Sequence, residues 1–141
     1  MANNKNKKKV NNLDNETMEN FLKLITNIHM LHHDIEGCPW NKSQTNESLI
    51  PYLLEETNEL ISALVDGNTN NIIEELGDIL LQIILHSEIG SKNKEFNLND
   101  VIKYLNKKIV FRHPYIFDQK KKITIEEANK IWKKQKQLKQ K

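Results

Sequence analysis

Cysteine is almost absent from this sequence, because Cys38 is the only one among 141 residues. A single cysteine excludes a disulfide within the chain and any cysteine-based metal site. A lone free thiol fits a reducing compartment, so we predict a cytoplasmic protein. The N-terminal lysines are not followed by an apolar segment, so no secretory signal is expected.

Glycine, proline and long apolar runs are also scarce. The chain has 4 glycines and 3 prolines, and it contains no glycine-rich phosphate loop, strand pattern or internal repeat. Its most apolar segment, residues 72–89, is interrupted by Glu74, Glu75, Asp78 and Glu88. These acids exclude a membrane span and indicate a buried helix instead.

The charges are nearly balanced but unevenly placed. Lys and Arg number 21 and Asp and Glu number 19, which argues against a general nucleic-acid binder. Basic residues collect at residues 3–9 and 133–141, where solvated chain ends are favoured over an RNA-binding arm. We predict a disordered basic lead over residues 1–14, one helical domain over residues 15–137 and a basic tail over residues 138–141.

Apolar periodicity predicts an all-α bundle of about five helices. The predicted helices cover residues 16–31, 47–65, 71–89 and 97–112, and a fifth begins with a capping box at Thr124 and Glu127. Residues 34–46 are predicted as a loop. The short turn at residues 66–70 makes the second and third helices antiparallel neighbours. Because a chain of this size buries only a small core, we expect homo-oligomerisation to complete it.

The predicted third helix carries one narrow polar stripe, formed by Glu75, Asp78, Gln82 and His86. The rest of its surface is apolar, which is typical of an interior helix. Buried carboxylates without partners would cost several kcal/mol or stay protonated. The sequence therefore predicts a cation beside Glu75 and Asp78. His86 is interpreted as a hydrogen-bonded structural histidine and not as a ligand.

A second acidic pair, Glu56 and Glu59, shares one face of the predicted second helix. Antiparallel packing would bring it to Glu75 and Asp78, as in the carboxylate metal sites of helical bundles. Oxygen-only ligands favour Mg²⁺, or Mn²⁺, and Mg²⁺ commonly binds substrate phosphates. Phosphoanhydride or phosphoester hydrolysis is the expected chemistry, with Glu55 orienting or deprotonating water. The alternative is a plain solvent-exposed acidic face on the second helix.

Four further residues suit a phosphorylated ligand. Lys108 and Arg112 lie four residues apart on the predicted fourth helix, and this pair matches phosphate oxygens. Trp132 and Lys136 have the same spacing on the fifth helix. A tryptophan ring beside a lysine suits a ligand that has a base and a phosphate. Solvated cations and a core tryptophan are the alternatives.

A second set of candidates lies near the acidic pairs. Trp40 either packs into the end of the helical bundle or contacts the base of a ligand, in which case Lys42 would lie near its phosphate. The residues alone leave both interpretations open. Tyr52 and Asn71 each precede an acidic pair by one turn and are expected to line the same cleft.

Five segments occur in a definite order: Gly37-Cys38-Pro39-Trp40-Asn41-Lys42-x-Gln44-Thr45, Tyr52-Leu53-Leu54-Glu55-Glu56-x-x-Glu59, Glu74-Glu75-Leu76-Gly77-Asp78-x-Leu80-Leu81-Gln82, Arg112-His113-Pro114-x-x-Phe117, and Trp132. Together they resemble the MazG nucleoside triphosphate pyrophosphohydrolases, from about His32 to Lys136. The resemblance implies an all-α fold that forms dimers or tetramers. It also implies Mg²⁺-dependent cleavage of NTPs or dNTPs into a nucleoside monophosphate and pyrophosphate.

By position, the resemblance assigns the metal to four residues and the nucleotide to four others. The implied metal ligands are Glu56, Glu59, Glu75 and Asp78, with Glu55 beside them, and the implied nucleotide contacts are Lys108, Arg112, Trp132 and Lys136. The chain departs from the usual pattern at Asn41, Asn46, Phe111, Tyr115 and Lys133, which bears on base preference and phosphate affinity. Alternatives are a narrow dUTP or dCTP pyrophosphatase and a non-catalytic module that senses nucleotides or (p)ppGpp.

Overall fold

The computed structural model describes the backbone of residues 3–138 and the side chains of residues 15–138. This part of the chain contains helices and no strands, which confirms the predicted all-α class. The helices are α1 (Asn3–Leu31), α2 (Pro39–Ser43), α3 (Ile50–Asp66), α4 (Thr69–Lys92), α5 (Leu98–Arg112), α6 (Pro114–Phe117) and α7 (Ile125–Gln137). None of these helices combines the length and the apolar character that crossing a membrane requires.

Two short helices were not among the five that the sequence predicts. Helix α2 lies within the predicted loop at residues 34–46, and α6 follows the predicted end of the fourth helix. Pro39 and Pro114 stand at the start of these helices. The fixed φ of proline suits a first helical position, where its missing N–H is not needed. Proline thus begins a short helix at both places.

Helix α1 begins at Asn3, earlier than the predicted start near Glu16. A helix that has nucleated gains one hydrogen bond for each added residue, and lysine is a good helix former. The predicted disordered lead and basic tail stay predictions, because side chains are described only from residue 15 and nothing is described after Leu138. The chain divides into two compact units, Met1–Glu95 and Phe96–Lys141, where the sequence predicts one domain.

Helices α3 and α4 of the first unit form an antiparallel hairpin, as predicted. Gly67 ends α3 with a left-handed φ of 72°, and its N–H donates to the Ala63 carbonyl. The Asn68 side chain then accepts hydrogen bonds from the N–H groups of Asn70 and Asn71 at 3.0 and 3.2 Å. Because only two residues join helices that pack on each other, the chain must reverse its direction there.

The apolar core of the first unit gathers around the C-terminal half of α4. Its buried apolar residues are Ile28, Leu49, Ala63, Ile84, Leu85 and Ile89. The N-terminal half of α4 instead leaves Ile73 and Leu76 exposed by 64% and 51%. Within one chain, the burial predicted for this helix is therefore found in its C-terminal half and not in its N-terminal half. Among the described residues of this unit, α1 and α3 are the helices that pack substantially against α4.

The segment after α1 folds back over the end of that helix. The Gly37 N–H donates to the His33 carbonyl, and the Cys38 N–H donates to the Leu31 carbonyl at 2.8 Å. A Cβ at position 37 would overlap the His33 carbonyl, so this close approach requires glycine. The turn delivers Pro39 to the start of α2 and positions Trp40.

The second unit consists of α5, α6 and α7, with α6 and α7 both packed against α5. The side-chain amide of Gln135 on α7 donates to the Phe111 carbonyl on α5 at 3.1 Å. Thr124 and Glu127 form the predicted capping box at the start of α7. The Gln135 bond therefore ties α7 to α5, and the capping box satisfies N–H groups at the start of α7.

Candidate active site

Three carboxylates from two helices form one group. Glu56 on α3 and Glu75 and Asp78 on α4 each offer an oxygen, and these oxygens lie within 4.8 Å of one another. All three residues are half-buried. Glu75 and Asp78 share a face because they are three residues apart, and antiparallel packing places Glu56 opposite them. The two predicted acidic pairs thus meet through these three residues.

The group holds more negative charge than its surroundings neutralise. Burial raises the pKa of Glu56, and the charges of Asp78, Glu59, Glu75 and Glu55 raise it further. Burial also raises the pKa of Glu75, followed by the charges of Glu59, Asp78 and Glu74. Both shifts arise because low polarity and like charges disfavour the ionised carboxylate.

No cation of the protein offsets this charge within the described residues. The ion pairs found there join His29 to Glu88 and Lys130 to Glu126, and neither includes a member of the carboxylate group. In addition, Oε2 of Glu75 is buried and has no hydrogen-bond partner. An unpartnered carboxylate oxygen within an oxygen-only donor set fits a hard divalent cation such as Mg²⁺ or Mn²⁺.

Glu59 and Glu55 lie at the edge of this group. Both side chains are exposed, and Glu59 is not among the three whose oxygens converge. Its charge nevertheless raises the pKa of Glu56 and Glu75. The structure therefore places Glu59 near the predicted site and leaves its role as a fourth ligand a prediction.

Trp40 and Tyr52 form an edge-to-face aromatic pair beside the start of α3. Their ring centroids are 5.4 Å apart with an interplanar angle of 90°. Both rings are partly exposed, Trp40 by 45% and Tyr52 by 39%, so Trp40 does not plug the bundle. Tyr52 precedes Glu56 by one turn of α3. Asn71 is exposed one turn before Glu75, as its spacing predicts.

Lys42 is engaged elsewhere. Its Nζ donates to the Asp34 carbonyl at 2.9 Å, which ties α2 to the segment after α1. It also lines a cavity with Lys92 near the C-terminal end of α4. The structure therefore does not bring Lys42 to the carboxylate group.

The second unit has a cationic cavity of its own. Lys108 and Arg112 from α5 and Lys136 from α7 line a volume of about 340 Å³. The guanidinium carbon of Arg112 lies 4.7 Å from the centroid of the Trp132 ring, a cation–π distance. The four cationic and aromatic residues that the sequence singles out in this unit therefore belong to one arrangement.

A family model described as the MazG nucleotide pyrophosphohydrolase domain matches residues 44–117. The chain belongs to the MazG family. The matched segment contains the carboxylate group together with Lys108 and Arg112. Trp40, Trp132 and Lys136 lie outside it.

Individual relatives agree with this assignment. The chain is 49% identical over 82 residues to the nucleoside triphosphate pyrophosphohydrolase/pyrophosphatase MazG of Thermotoga maritima, covering 58% of this chain and 32% of that protein. It is 44% identical over 95 residues to the YabN protein of Bacillus subtilis, covering 67% of this chain and 19% of that protein. The chain thus spans about a third or less of these two relatives.

A solved structure supports the fold as well. The crystal structure of a mazG-related protein from Thermotoga maritima matches with a TM-score of 0.66 and 30% sequence identity. The match covers 84% of this chain and 98% of that chain. The resemblance read from the five sequence segments is therefore confirmed, as is the MazG-like helical fold.

The cavity of the second unit includes residues that the sequence did not assign to a ligand. These additional lining residues are Tyr104, Phe111, Gln135 and Leu138. Lys108 Nζ lies 5.6 Å from the Tyr104 ring centroid, and their four-residue spacing is a signal that would have identified Tyr104. Gln135 also lines the cavity, and its side chain donates to the Phe111 carbonyl. This tertiary contact could not be predicted from residue spacing in the sequence.

His86 has the structural role that its sequence position indicates. Its Nδ1 donates to the side-chain oxygen of Asn46 at 2.8 Å, and the ring is half-buried. This bond joins the C-terminal half of α4 to the segment that precedes α3. Asn46 stands at one of the positions where the chain departs from the usual MazG pattern, and here it anchors a helix.

Proposed function

We propose that this chain hydrolyses nucleoside triphosphates, or their deoxy forms, at the bond between the α and β phosphates. Water adds across that phosphoanhydride, and a nucleoside monophosphate and pyrophosphate leave. The observation that carries the proposal is the convergence of Glu56, Glu75 and Asp78 without a protein cation. Membership of the MazG family supports the same reaction class.

Glu56, Glu75 and Asp78 would hold a Mg²⁺ ion, with Mn²⁺ as the alternative, and Glu59 would join them as a fourth ligand. When bound, the ion neutralises phosphate charge and lowers the pKa of bound water. The oxygen donors and the unpartnered Glu75 oxygen support this assignment. Because Mg²⁺ keeps several waters and uses few carboxylates, three or four ligands are sufficient.

We assign to Glu55 the role of orienting the attacking water. It is the one acidic neighbour of Glu56 on α3 that is outside the proposed ligand set, and its side chain is exposed. An exposed carboxylate can orient the attacking water and accept its proton as the new phosphorus–oxygen bond forms.

Nucleotide contacts are proposed for each of the two units by itself. Lys108, Arg112 and Lys136 would bind phosphate oxygens, and their cavity of about 340 Å³ falls within the usual range for small-molecule sites. Trp132 supports Arg112 and offers a ring to the base. Trp40, Tyr52 and Asn71 are proposed to contact the base or sugar near the carboxylates. Lys42 is withdrawn from this set because it lies on a cavity near the C-terminal end of α4 and not beside the carboxylate group.

A homodimer or homotetramer is part of the proposal. Large apolar side chains on α3 and α4 are exposed in the single chain, among them Leu54, Ile61, Leu64, Ile73 and Leu76. Exposed large apolar side chains in this number are typical of an interaction surface. We further propose a cytoplasmic location, on the basis of the single cysteine.

A nucleotide panel tests the function directly. The purified chain, with Mg²⁺, would be incubated with each NTP and dNTP, including dUTP and dCTP, and with ppGpp. The products would be followed by ³¹P NMR and by pyrophosphate detection. We expect monophosphate and pyrophosphate from at least one triphosphate, whereas a diphosphate and inorganic phosphate would contradict the assigned bond. Tight binding of a nucleotide without any release would replace hydrolysis with nucleotide sensing.

A further inference from the structure

A second polar cavity lies in the first unit, at the other end of α4. It has a volume of about 250 Å³ and is lined by the end of α1, the segment of α2 and the last turn of α4. Lys92 on its wall follows Asp78 by fourteen residues, which corresponds to about 21 Å along the helix. The cavity is therefore separate from the carboxylate group.

The charge of this cavity is opposite to that of the carboxylate group. Its lining includes Lys42 and Lys92 and no acidic residue. Across the described residues, the ion pairs are His29 with Glu88 and Lys130 with Glu126, so neither lysine is neutralised by a carboxylate. The remaining lining groups are the amides of Asn41, Gln44 and Asn93, the hydroxyls of Ser43 and Thr45, one histidine and Ile89.

His32 supplies an independent indication of a ligand. Its Nδ1 donates to the Ile28 carbonyl at 3.1 Å, because a carbonyl can only accept. Its Nε2 is buried and has no hydrogen-bond partner. Buried polar atoms normally have partners, so an orphaned imidazole nitrogen on a cavity wall requires explanation. The hydroxyl of a protonated phosphate can donate to this nitrogen, and a protonated ring can donate to a phosphate oxygen.

We propose that this cavity binds inorganic phosphate or pyrophosphate. Lys92 and Lys42 provide the charge, the Lys42 Nζ also donating one hydrogen bond to the Asp34 carbonyl, and His32 and Asn93 provide directed hydrogen bonds. The volume is below the range of about 300–1,000 Å³ typical of drug-sized ligands, which favours a small anion over a whole nucleotide. The C-terminal end of α4 carries a partial negative charge, and Lys92 in its last turn offsets it.

Calorimetric titration of the full chain with phosphate, and separately with pyrophosphate, tests the site in metal-free buffer at constant ionic strength. Lys92→Met keeps the apolar stem and removes the charge, and His32→Gln removes the imidazole. Lys23→Met is the matched control, since Lys23 is exposed on α1 and does not line the cavity. Lys108→Met reports binding in the cavity of the second unit. NMR of the wild-type chain locates the site without relying on any variant.

We expect saturable binding of at least one of the two anions, with shifted signals from His32 and Asn93. Lys92→Met should weaken it about tenfold or more, since hydrogen bonds to charged groups are strong, while Lys23→Met leaves it unchanged. Three results would each overturn the proposal: no saturable binding, an equal loss in Lys23→Met, or a loss in Lys108→Met and not in Lys92→Met. Because binding alone is measured, these results do not depend on the hydrolytic activity.

Discussion

The guanidinium carbon of Arg112 lies 4.7 Å from the ring centroid of Trp132, although the two residues belong to different helices, α5 and α7. The His113 ring lies 5.4 Å from the same tryptophan. Trp132 therefore holds the guanidinium group from one side while the adjoining cavity leaves its N–H groups available to phosphate oxygens. This arrangement makes the two residues one structural unit, to which we assign phosphate binding as part of the proposed function.

Replacing Arg112 with lysine should weaken nucleotide binding although the charge is retained. Lysine offers neither the planar stacking surface nor the two-pronged hydrogen bonding of arginine. We expect the KM for the preferred triphosphate to rise roughly tenfold, with a smaller change in kcat. Trp132→Ala should give a similar increase and Trp132→Phe a smaller one. Steady-state kinetics measure both, with Lys103→Ala on the exposed surface of α5 as the control. An unchanged KM in Arg112→Lys would remove Arg112 from the binding site.

Substituting Glu56 with glutamine should separate stability from metal binding. The variant removes one charge from a group of like charges, so its melting temperature in metal-free buffer should rise by a few degrees. In the wild type, Mg²⁺ at one hundred times its dissociation constant should stabilise the fold by about 2.7 kcal/mol. That shift should be largely absent in the variant. Differential scanning fluorimetry measures both effects. A lower metal-free melting temperature would show that Glu56 is stabilised by its surroundings.

The raised pKa values of Glu56 and Glu75 set the pH dependence of stability in metal-free buffer. A carboxyl with a raised pKa binds more protons in the folded state than in the unfolded state, so its contribution to stability is lost as pH rises. The loss should begin near the unfolded value of about 4.3 and end above the folded values. Mg²⁺ should reverse the trend, because it binds the deprotonated carboxylates.

Urea unfolding from pH 4 to pH 8, with and without Mg²⁺, measures this dependence. The slope with pH should be shallower in Glu75→Gln, which cannot titrate at that position. Glu126→Gln is the matched control, because Glu126 is exposed on α7 and pairs only with Lys130. An identical pH profile in wild type and Glu75→Gln would contradict the raised pKa of Glu75.

Two glycines should respond to alanine in opposite directions. Gly67 has a φ of 72°, which alanine adopts only with strain, so Gly67→Ala should lower the free energy of unfolding by about 1–2 kcal/mol. Gly77 lies within helix α4, and a Cβ there meets nothing within 4 Å. Gly77→Ala should therefore raise the free energy of unfolding by about 0.5–1 kcal/mol. Urea denaturation measures both. A destabilised Gly77→Ala protein would indicate that a second copy of the chain covers this face of α4.

The features that follow from local spacing could be predicted from the sequence. The three- and four-residue spacings on α3, α4 and α5 place Glu75 with Asp78 and Lys108 with Arg112 on shared faces. The turn at Gly67 and Asn68 then brings Glu56 to the acids of α4. For these residues, helix periodicity and one tight turn are enough to specify which side chains meet.

Features that depend on tertiary contacts could not be predicted. Lys42 binds the Asp34 carbonyl, and Gln135 binds the Phe111 carbonyl, although neither pair has a characteristic spacing. The sequence also does not indicate that only the C-terminal half of α4 is covered within one chain. Burial of the other half depends on what packs against it, and the apolar pattern of a helix does not reveal that partner.

The central claim is that the group of Glu56, Glu75 and Asp78 makes hydrolysis depend on a divalent cation. The most direct test measures pyrophosphate release from the preferred triphosphate while Mg²⁺ is titrated into metal-free protein. Wild type and the control Glu74→Gln, which alters an exposed acid on α4, should show the same saturable activation. The double variant Glu75→Gln with Asp78→Asn should lose activity at every Mg²⁺ concentration. Activity without Mg²⁺ in the wild type, or full activity in the double variant, would contradict the account.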